Sequence, residues 1–283
     1  MSTSNTVWFV TGTSSGFGRC IAEEVIARGE RLVATARDPK ALQDLVAKAP
    51  ERVLTLRLDV TRPEEVETAV AKALEHFGQI DVLVNNAGYS VLGAVEETTE
   101  AELRAAFETM FFGAVATTRA VLPQMRERRT GTIVQITSVG GFTTAPGFGA
   151  YCAVKHGLEG LSECLAAEVT PFGIRVLIVE PGAFRTGLFG GAFRMLPETK
   201  TYSSSVGPTR AYVTSSAGKQ EGDPAKAAHA IVNAVNAGAP TLRLPLGADA
   251  VSLIRSKLTS MTDEVDKTER VAEATAFDAK VTA

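Results

Sequence analysis

The feature that most constrains the fold is a strand, a glycine-rich turn, a helix and a second strand within the first forty residues. Val7 to Val10 is an uninterrupted apolar run, too short for a helix, and is predicted to form a buried parallel strand. After the turn, an amphipathic helical pattern runs from Arg19 to Arg28 and ends at Gly29, and an apolar strand runs from Arg31 to Ala36. This order within about thirty residues is typical of a dinucleotide-binding unit, whereas a plain strand-to-helix connection needs no such glycine pattern.

The glycines of the turn are spaced to let the backbone approach a pyrophosphate. Gly12 permits a tight turn, and Gly16 and Gly18 allow close approach of the ligand and close packing of helix on strand. The pyrophosphate would rest on free N–H groups at the positive end of the helix. The contacts predicted from this turn are Gly12, Ser14, Ser15, Gly16, Phe17 and Gly18.

The end of the second strand indicates which dinucleotide binds. NAD sites usually carry an acidic residue there, whereas an arginine suits the 2′-phosphate of NADP. Ala36 leaves room for that phosphate and Arg37 offers a guanidinium fork, to which Ser14 in the turn adds a hydroxyl. The alternative is an Arg37 that only pairs with Asp38 or a neighbouring acid. We therefore expect NADP(H) rather than NAD.

Tyr151 and Lys155 lie one helical turn apart, with Ser138 thirteen residues before the tyrosine at the end of an apolar strand. Residues at i and i+4 share a helix face, so the lysine ammonium is expected near the phenol. A nearby cation favours the phenolate and would lower the tyrosine pKa from about 10. Such a phenol exchanges a proton with a substrate oxygen, and Ser138 would hold the same oxygen. Taken alone, Tyr-x-x-x-Lys also fits a surface tyrosine beside a solvated lysine.

These motifs together resemble the short-chain dehydrogenase/reductase family from Val7 to about Thr186. Ser138, Tyr151 and Lys155 match its catalytic serine, tyrosine and lysine, and the last two also contact the cofactor in the family. The resemblance implies further cofactor contacts from segments that each follow a strand, namely Asp59, Val60, Asn86, Ala87, Gly88, Pro181, Gly182, Phe184 and Thr186. Thr35 to Asp38 shows a weaker resemblance to the branch of 17β-hydroxysteroid and retinol dehydrogenases.

One position departs from that family. Its fourth catalytic residue is an asparagine that supports a helix distortion and a water linking the lysine to solvent, and Met110 stands at that position here. Methionine is a poor hydrogen-bonding partner. Either a backbone carbonyl still holds the water and Met110 fills space, or the proton relay is impaired.

The remaining sequence alternates strand-like and helical runs, which predicts an α/β doubly wound parallel sheet, a Rossmann fold with helices on both faces. A helix is expected from Pro63 with Thr61 as its N-cap, a long helix over Glu100 to Arg128, and a last edge strand over Thr241 to Leu244. We expect a single domain over residues 1–283, with a substrate lid at about 187–222 and a helical extension at about 245–283.

Composition narrows the partners and the compartment. The formal charge of −3 gives no reason to expect nucleic-acid binding, and no apolar run approaches the length of a membrane span. Three cysteines without Cys-x-x-Cys and three widely spaced histidines predict neither disulfide nor metal site. The amino terminus lacks signal-peptide features, which favours the cytosol. The resemblance implies a homodimer or homotetramer.

The predicted function is an oxidoreductase that interconverts a secondary alcohol and a ketone or aldehyde. The apolar and aromatic residues of the expected lid suggest an apolar substrate. A second hypothesis is an NADP(H)-binding sensor or partner-binding protein weakened by Met110. A third is an epimerase or dehydratase, which is disfavoured because little chain follows Phe184 to form the extra substrate domain of such relatives.

Overall fold

The predicted doubly wound sheet is confirmed by the computed structural model, which describes residues 5–189, 193–239 and 241–277. Seven of the described strands form one parallel sheet, in the order β3-β2-β1-β4-β6-β7-β9. The strands of this sheet are β1 (Val7–Val10), β2 (Arg31–Ala36), β3 (Val53–Arg57), β4 (Val82–Asn85), β6 (Gly131–Ile136), β7 (Ile174–Pro181) and β9 (Arg243–Leu246). The strand order reverses between β1 and β4, which is where ligands bind in open sheets of this kind.

Helices cover both faces of the sheet and bury two apolar layers. On one face α1 packs against α8, and on the other α3 packs against α5, with α6 beside them. The helices are α1 (Gly16–Ala27), α2 (Gln43–Lys48), α3 (Pro63–Phe77), α4 (Glu100–Phe107), α5 (Gly113–Arg128), α6 (Gly149–Val169), α7 (Gly207–Ser216), α8 (Pro224–Asn236) and α9 (Ala248–Glu273). Among the described residues, no helix is long and apolar enough to cross a membrane.

The start of α3 differs from the prediction. Its N-cap is Arg62, which makes no side-chain cap bond, and Pro63 occupies the first helical position. Thr61 instead donates to Asp59 through its hydroxyl, over 2.7 Å. The prediction of Thr61 as N-cap was wrong because the hydroxyl serves the turn that follows β3.

The long helix predicted over Glu100 to Arg128 is interrupted. A π-helical turn over Glu108–Phe112 separates α4 from α5, and Met110 lies inside it. Helical periodicity does not reveal one inserted residue, because the apolar pattern resumes on the same face after the wider turn. The distortion that the family associates with asparagine is therefore present here with methionine.

Two further differences concern short strands. The last strand is Arg243–Leu246, two residues later than predicted, because it pairs with the final residues of β7, from Ile178 to Pro181. Pro245 is tolerated there because β9 is an edge strand, and the missing N–H faces away from β7. In addition, β5 (Ser90–Leu92) and β8 (Phe193–Met195) form a separate two-stranded parallel sheet, which the sequence analysis did not predict.

Candidate active site

The glycine-rich turn is fastened to the end of β4 by side-chain hydrogen bonds. The Thr11 hydroxyl accepts from the backbone N–H groups of Asn86 (2.9 Å) and Ala87 (3.0 Å). The Asn86 side-chain amide donates to the carbonyls of Thr11 (2.8 Å) and Gly12 (3.0 Å). The ends of β1 and β4 are thus joined at the reversal of strand order, and the Asn86 side chain shapes the turn.

The geometry of this turn fits a dinucleotide pyrophosphate. Gly12 and Gly16 have φ values of +71° and +59°, in the left-handed region that favours glycine. A Cβ on Gly18 would lie 2.3 Å from the Gly12 carbonyl oxygen, so only glycine fits. The Ser15 side chain makes no cap bond to α1, which leaves N–H groups at this helix end for an anion.

The segment after β7 faces the same turn. The rings of Phe17 and Phe184 meet edge to face with centroids 5.2 Å apart. A Cβ on Gly16 would lie 3.7 Å from Thr186. The Ala183 N–H donates to Asp249 in the first turn of α9, over 2.7 Å, and the same carboxylate leaves no room for a Cβ on Gly182, which follows Pro181. The structure therefore places the predicted contacts after β7 beside those after β1.

The ends of β2 and β3 form the far end of this crevice. Ala36 is buried at the end of β2, and Arg37 is exposed. Burial opposes ionisation of Asp59, but the two hydrogen bonds from Thr61 and the charge of Arg37 outweigh it and lower the Asp59 pKa. Val60 packs directly on Gly113, whose missing Cβ makes room for it.

Ser138, Tyr151 and Lys155 converge at the end of β6. The Ser138 hydroxyl accepts from the N–H of Gly140 (3.0 Å) and is hydrogen-bonded to the Tyr151 phenol. The Lys155 ammonium donates to the Ile136 carbonyl over 2.9 Å and lies 5.7 Å from the centroid of the Tyr151 ring. The spacing within α6 thus gives the predicted cluster, and the β6 carbonyl fixes the lysine.

The ionisation of this cluster differs from the prediction. Burial raises the pKa of Tyr151 to about 12, although the hydrogen bond with Ser138 opposes the rise. Burial also lowers the pKa of Lys155 to about 8, and the charge of Glu159 only partly offsets this. The predicted lowering of the tyrosine pKa was wrong, because the loss of water around the buried phenol is the largest effect on it and the charge of Lys155 is not among the effects that oppose the rise. At neutral pH the phenol is protonated and the lysine is mostly charged.

A small cavity lies between Lys155 and the π-helical turn. Its volume is about 10 Å³, close to the space of one water molecule, and Thr109, Met110, Asn85 and Lys155 contribute to its wall. Met110 is 2% exposed and packs in an apolar cluster with Tyr151 and Val154. The methionine side chain therefore fills space beside the lysine without closing the cavity.

Aromatic side chains surround the outer side of Tyr151. The Phe148 ring lies 6.2 Å from the Tyr151 ring and 6.5 Å from that of Phe193 on β8. Arg194 stacks over Tyr89, 4.9 Å from the ring centroid. Sequence analysis missed Tyr89 and Phe148, although Tyr89 directly follows the Asn-Asn-Ala-Gly motif and Phe148 lies one turn before Tyr151.

A buried ion pair holds the segment after β8 against the body. Arg210 on α7 donates to Glu97 and to the Leu196 carbonyl, each over 2.8 Å. Glu97 also accepts from the Thr199 N–H (2.7 Å), and backbone donation from Thr199 and Ala94 lowers its pKa to about 2. The region predicted as a lid, 187–222, is thus anchored at α7, and its residues 190–192 lie outside the described part of the chain.

Comparison with known proteins identifies the family. Residues 6–196 match the family model described as short chain dehydrogenase. Oxidoreductase BOA17 of Botryotinia fuckeliana is 39% identical over 87% of this chain and 90% of its own length. The 3-ketodihydrosphingosine reductase of Bacteroides thetaiotaomicron is 42% identical over 63% of this chain and 64% of its own length.

A solved structure extends the likeness to nearly the whole chain. A short-chain dehydrogenase from Streptomyces avermitilis superimposes with a TM-score of 0.92 at 52% identity, covering 98% of this chain and all of that one. The sheet order, the glycine-rich turn and the cluster on α6 agree with this likeness. The chain belongs to the short-chain dehydrogenase/reductase family and is an oxidoreductase.

Proposed function

We propose that the protein is an NADP(H)-dependent oxidoreductase that interconverts a secondary alcohol and a ketone or aldehyde, with Tyr151 as general acid and base. The observation that carries the proposal is the pairing of the half-buried Ser138 hydroxyl with the buried Tyr151 phenol, beside the buried Lys155 at the end of β6. Such a pair presents one O–H donor to a substrate oxygen while a second group polarises the same oxygen. In the proposed arrangement residues 1–283 form one domain, with the lid at about 187–222 and the helical extension at about 245–283.

Each side chain of the cluster has a separate task. Tyr151 donates its proton to the carbonyl oxygen during reduction, and Ser138 donates a hydrogen bond to the same oxygen. Lys155, charged near neutral pH, stabilises the phenolate that remains and returns a proton to it through the small cavity. The nicotinamide, when bound, supplies or accepts the hydride. The protonated phenol found at neutral pH is the form required for reduction.

The cofactor crevice supports a dinucleotide along its whole length. We assign the pyrophosphate to the turn from Gly12 to Gly18, the adenosine end to Asp59 and Val60, and the nicotinamide end to Tyr151, Lys155 and the segment of Pro181, Gly182, Phe184 and Thr186. Gly88 packs against Met110 at this crevice, and a Cβ at position 88 would lie 3.1 Å from the Met110 side chain.

Preference for NADP(H) is proposed from the ends of β2 and β3. Asp38 accepts from the Lys40 N–H (3.0 Å) and caps the following turn, so it does not serve as the phosphate-excluding acid of β2. Arg57 donates to the Arg37 carbonyl over 3.0 Å, which brings a second guanidinium to the same edge. Arg37 and Arg57 lie next to Ala36, whose small buried side chain ends β2. This arrangement suits a 2′-phosphate.

The substrate class proposed is an apolar carbonyl compound. Phe148, Phe193 and the buried Leu196 form an apolar wall next to Tyr151. The relative from Bacteroides thetaiotaomicron bears the name of a reductase of a ketone, which agrees with this direction of reaction.

The first test replaces the proposed acid. Tyr151→Phe keeps the ring but removes the proton donor, so kcat for NADPH-dependent reduction of apolar ketones should fall by about 10²–10⁴-fold while NADPH affinity changes little. The initial rate of NADPH oxidation at saturating ketone gives kcat, and a fluorescence titration gives the affinity for NADPH. Tyr212→Phe, which removes the phenol of a tyrosine that is 55% exposed on α7, is the matched control. Full turnover by Tyr151→Phe would refute the role of Tyr151.

A further inference from the structure

The carboxyl-terminal helix α9 leaves the body of the protein with an uncovered apolar face. Ala250 is buried near its start, but every residue from Leu258 to Phe277 is exposed. Leu258, Met261 and Val265 are 50%, 47% and 63% exposed. A helix of 26 residues gains most of its stability from packing an amphipathic face, and this face has no cover over its second half.

The apolar positions of α9 follow a heptad. Spacings of three and four residues alternate over two repeats, which is the pattern of a two-helix seam rather than of a helix on a sheet. We call this set the apolar seam: Val251, Ile254, Leu258, Met261 and Val265.

The seam borders a groove that has room for more than a side chain. The groove has a volume of about 640 Å³ and lies between α9 and the exposed face of α6. Leu258, Met261 and Val265 form one wall, and His156 and Gly160 belong to the other. A Cβ on Gly160 would meet no atom within 4 Å, so the α6 wall is open to close approach by another helix.

The charges beside the seam select the occupant and its direction. Lys257 and Glu264 hold equivalent flanking positions in successive heptads. On the other side, Arg255 and Glu269 hold equivalent positions two heptads apart. In a parallel pair of such helices, Glu264 would face Glu269 of the second helix, which is repulsive. In an antiparallel pair, Lys257 faces Glu264 of the second helix twice, because a two-fold axis repeats the contact, while Leu258 meets Met261 and Ile254 meets Val265.

We propose that the groove between α6 and α9 accepts α9 of a second copy of this chain, antiparallel to the first. The interaction is isologous: each α9 lies in the groove of the other copy, and the apolar seams cover one another. The two symmetry-related Lys257–Glu264 pairs, on the flank that carries both residues, fix the register. This surface is separate from the crevice at the strand ends, so the proposal does not depend on the reaction or the cofactor.

The first test measures assembly mass by light scattering during size-exclusion chromatography of the full-length protein. Val265→Glu places a charge in the seam and should halve the mass of the wild-type assembly. Thr259→Glu adds the same charge on the opposite side of α9 and should leave the mass unchanged. NADPH binding by each variant shows that the body remains folded. A wild-type monomer, or a Val265→Glu mass equal to that of the wild type, would overturn the proposal.

A charge swap tests the antiparallel register. Lys257→Glu and Glu264→Lys, each alone, put like charges opposite one another and should weaken association about tenfold. The double variant restores opposite charges and should return the dissociation constant to near the wild-type value, as measured by sedimentation across a dilution series. Additive loss in the double variant would exclude the proposed pairing.

Discussion

At the scale of single residues, Ser138, Tyr151 and Lys155 meet because Ser138 follows the end of β6 at Ile136 and α6 presents the other two side chains on one face. Their pKa values depend on how deeply the groups are buried, and burial is a property of the whole packed chain. Sequence reasoning therefore located the groups and gave the wrong sign for the tyrosine shift.

Met110 provides the residue-scale prediction. Because the π-helical turn is already formed with methionine, we expect Met110→Asn to change kcat by less than about threefold, while the buried amide costs about 1–3 kcal/mol of the free energy of unfolding. Met110→Phe should fill the cavity beside Lys155 and lower kcat about tenfold. Ketone-reduction kinetics and urea unfolding measure these effects.

The nearly isosteric Met110→Leu serves as the control and should retain both kcat and stability, within about 1.5 kcal/mol. If Met110→Asn instead raised kcat by tenfold or more, the methionine would be shown to impair proton transfer, contrary to the proposal.

At the scale of elements, long periodic segments were predictable and short or coupled ones were not. The strands β1 and β2 and the helix α3 have the predicted bounds, because each buries a continuous apolar face. The three-residue strands β5 and β8 depend on each other across about one hundred residues, so neither has a local signal.

The ion cluster at the edge of the sheet also could not be predicted from local sequence. Glu159 on α6, Glu180 on β7 and Arg243 on β9 meet only when α6 packs on the sheet and β9 pairs with β7. Glu180 is 1% exposed, and its burial, together with the charge of Glu159, raises its pKa to about 7.

Glu180 provides the element-scale prediction. Its folded-state pKa lies above the value of 4.5 for an ordinary glutamate, so the folded protein binds more protons than the unfolded chain between about pH 4.5 and 7. Stability from this group is therefore lost as pH rises through that window. Glu180→Gln, which mimics the protonated form, should be about 1–2 kcal/mol more stable than the wild type at about pH 8 and no more stable at about pH 5.

Urea unfolding at the two pH values gives the comparison. Glu163→Gln alters a carboxylate of the same cluster that is 52% exposed, and it should show no such pH-dependent gain. A Glu180→Gln protein that is less stable than the wild type at both pH values would mean that the ion pair with Arg243 outweighs the cost of burying the carboxylate.

At the scale of the whole molecule, the cofactor crevice is assembled from segments that lie far apart in the sequence. The glycine-rich turn, Asn86, Ser138 and Phe184 each follow a different strand, and parallel strands bring those ends to one edge. This convergence was predictable because it follows from the alternation of strands and helices. The contact of Asp249 with the segment after β7 was not predictable from the sequence, because it depends on where α9 begins relative to the folded sheet.

Because the crevice draws on so many segments, its ligand should stabilise the entire fold, and the preferred dinucleotide should do so more strongly. At one hundred times its dissociation constant, NADP⁺ is expected to add about 2.7 kcal/mol to the free energy of unfolding, which raises the Tm by roughly 5–8 °C. NAD⁺ at the same concentration should give a smaller rise, since it lacks the phosphate proposed to contact Arg37.

Arg37→Ala should reduce the NADP⁺ shift to the NAD⁺ value and leave the NAD⁺ shift unchanged. Arg104→Ala, which removes another exposed guanidinium on α4, should alter neither shift. Thermal scans with equal shifts for both dinucleotides, unaffected by Arg37→Ala, would show that the end of β2 does not select the cofactor.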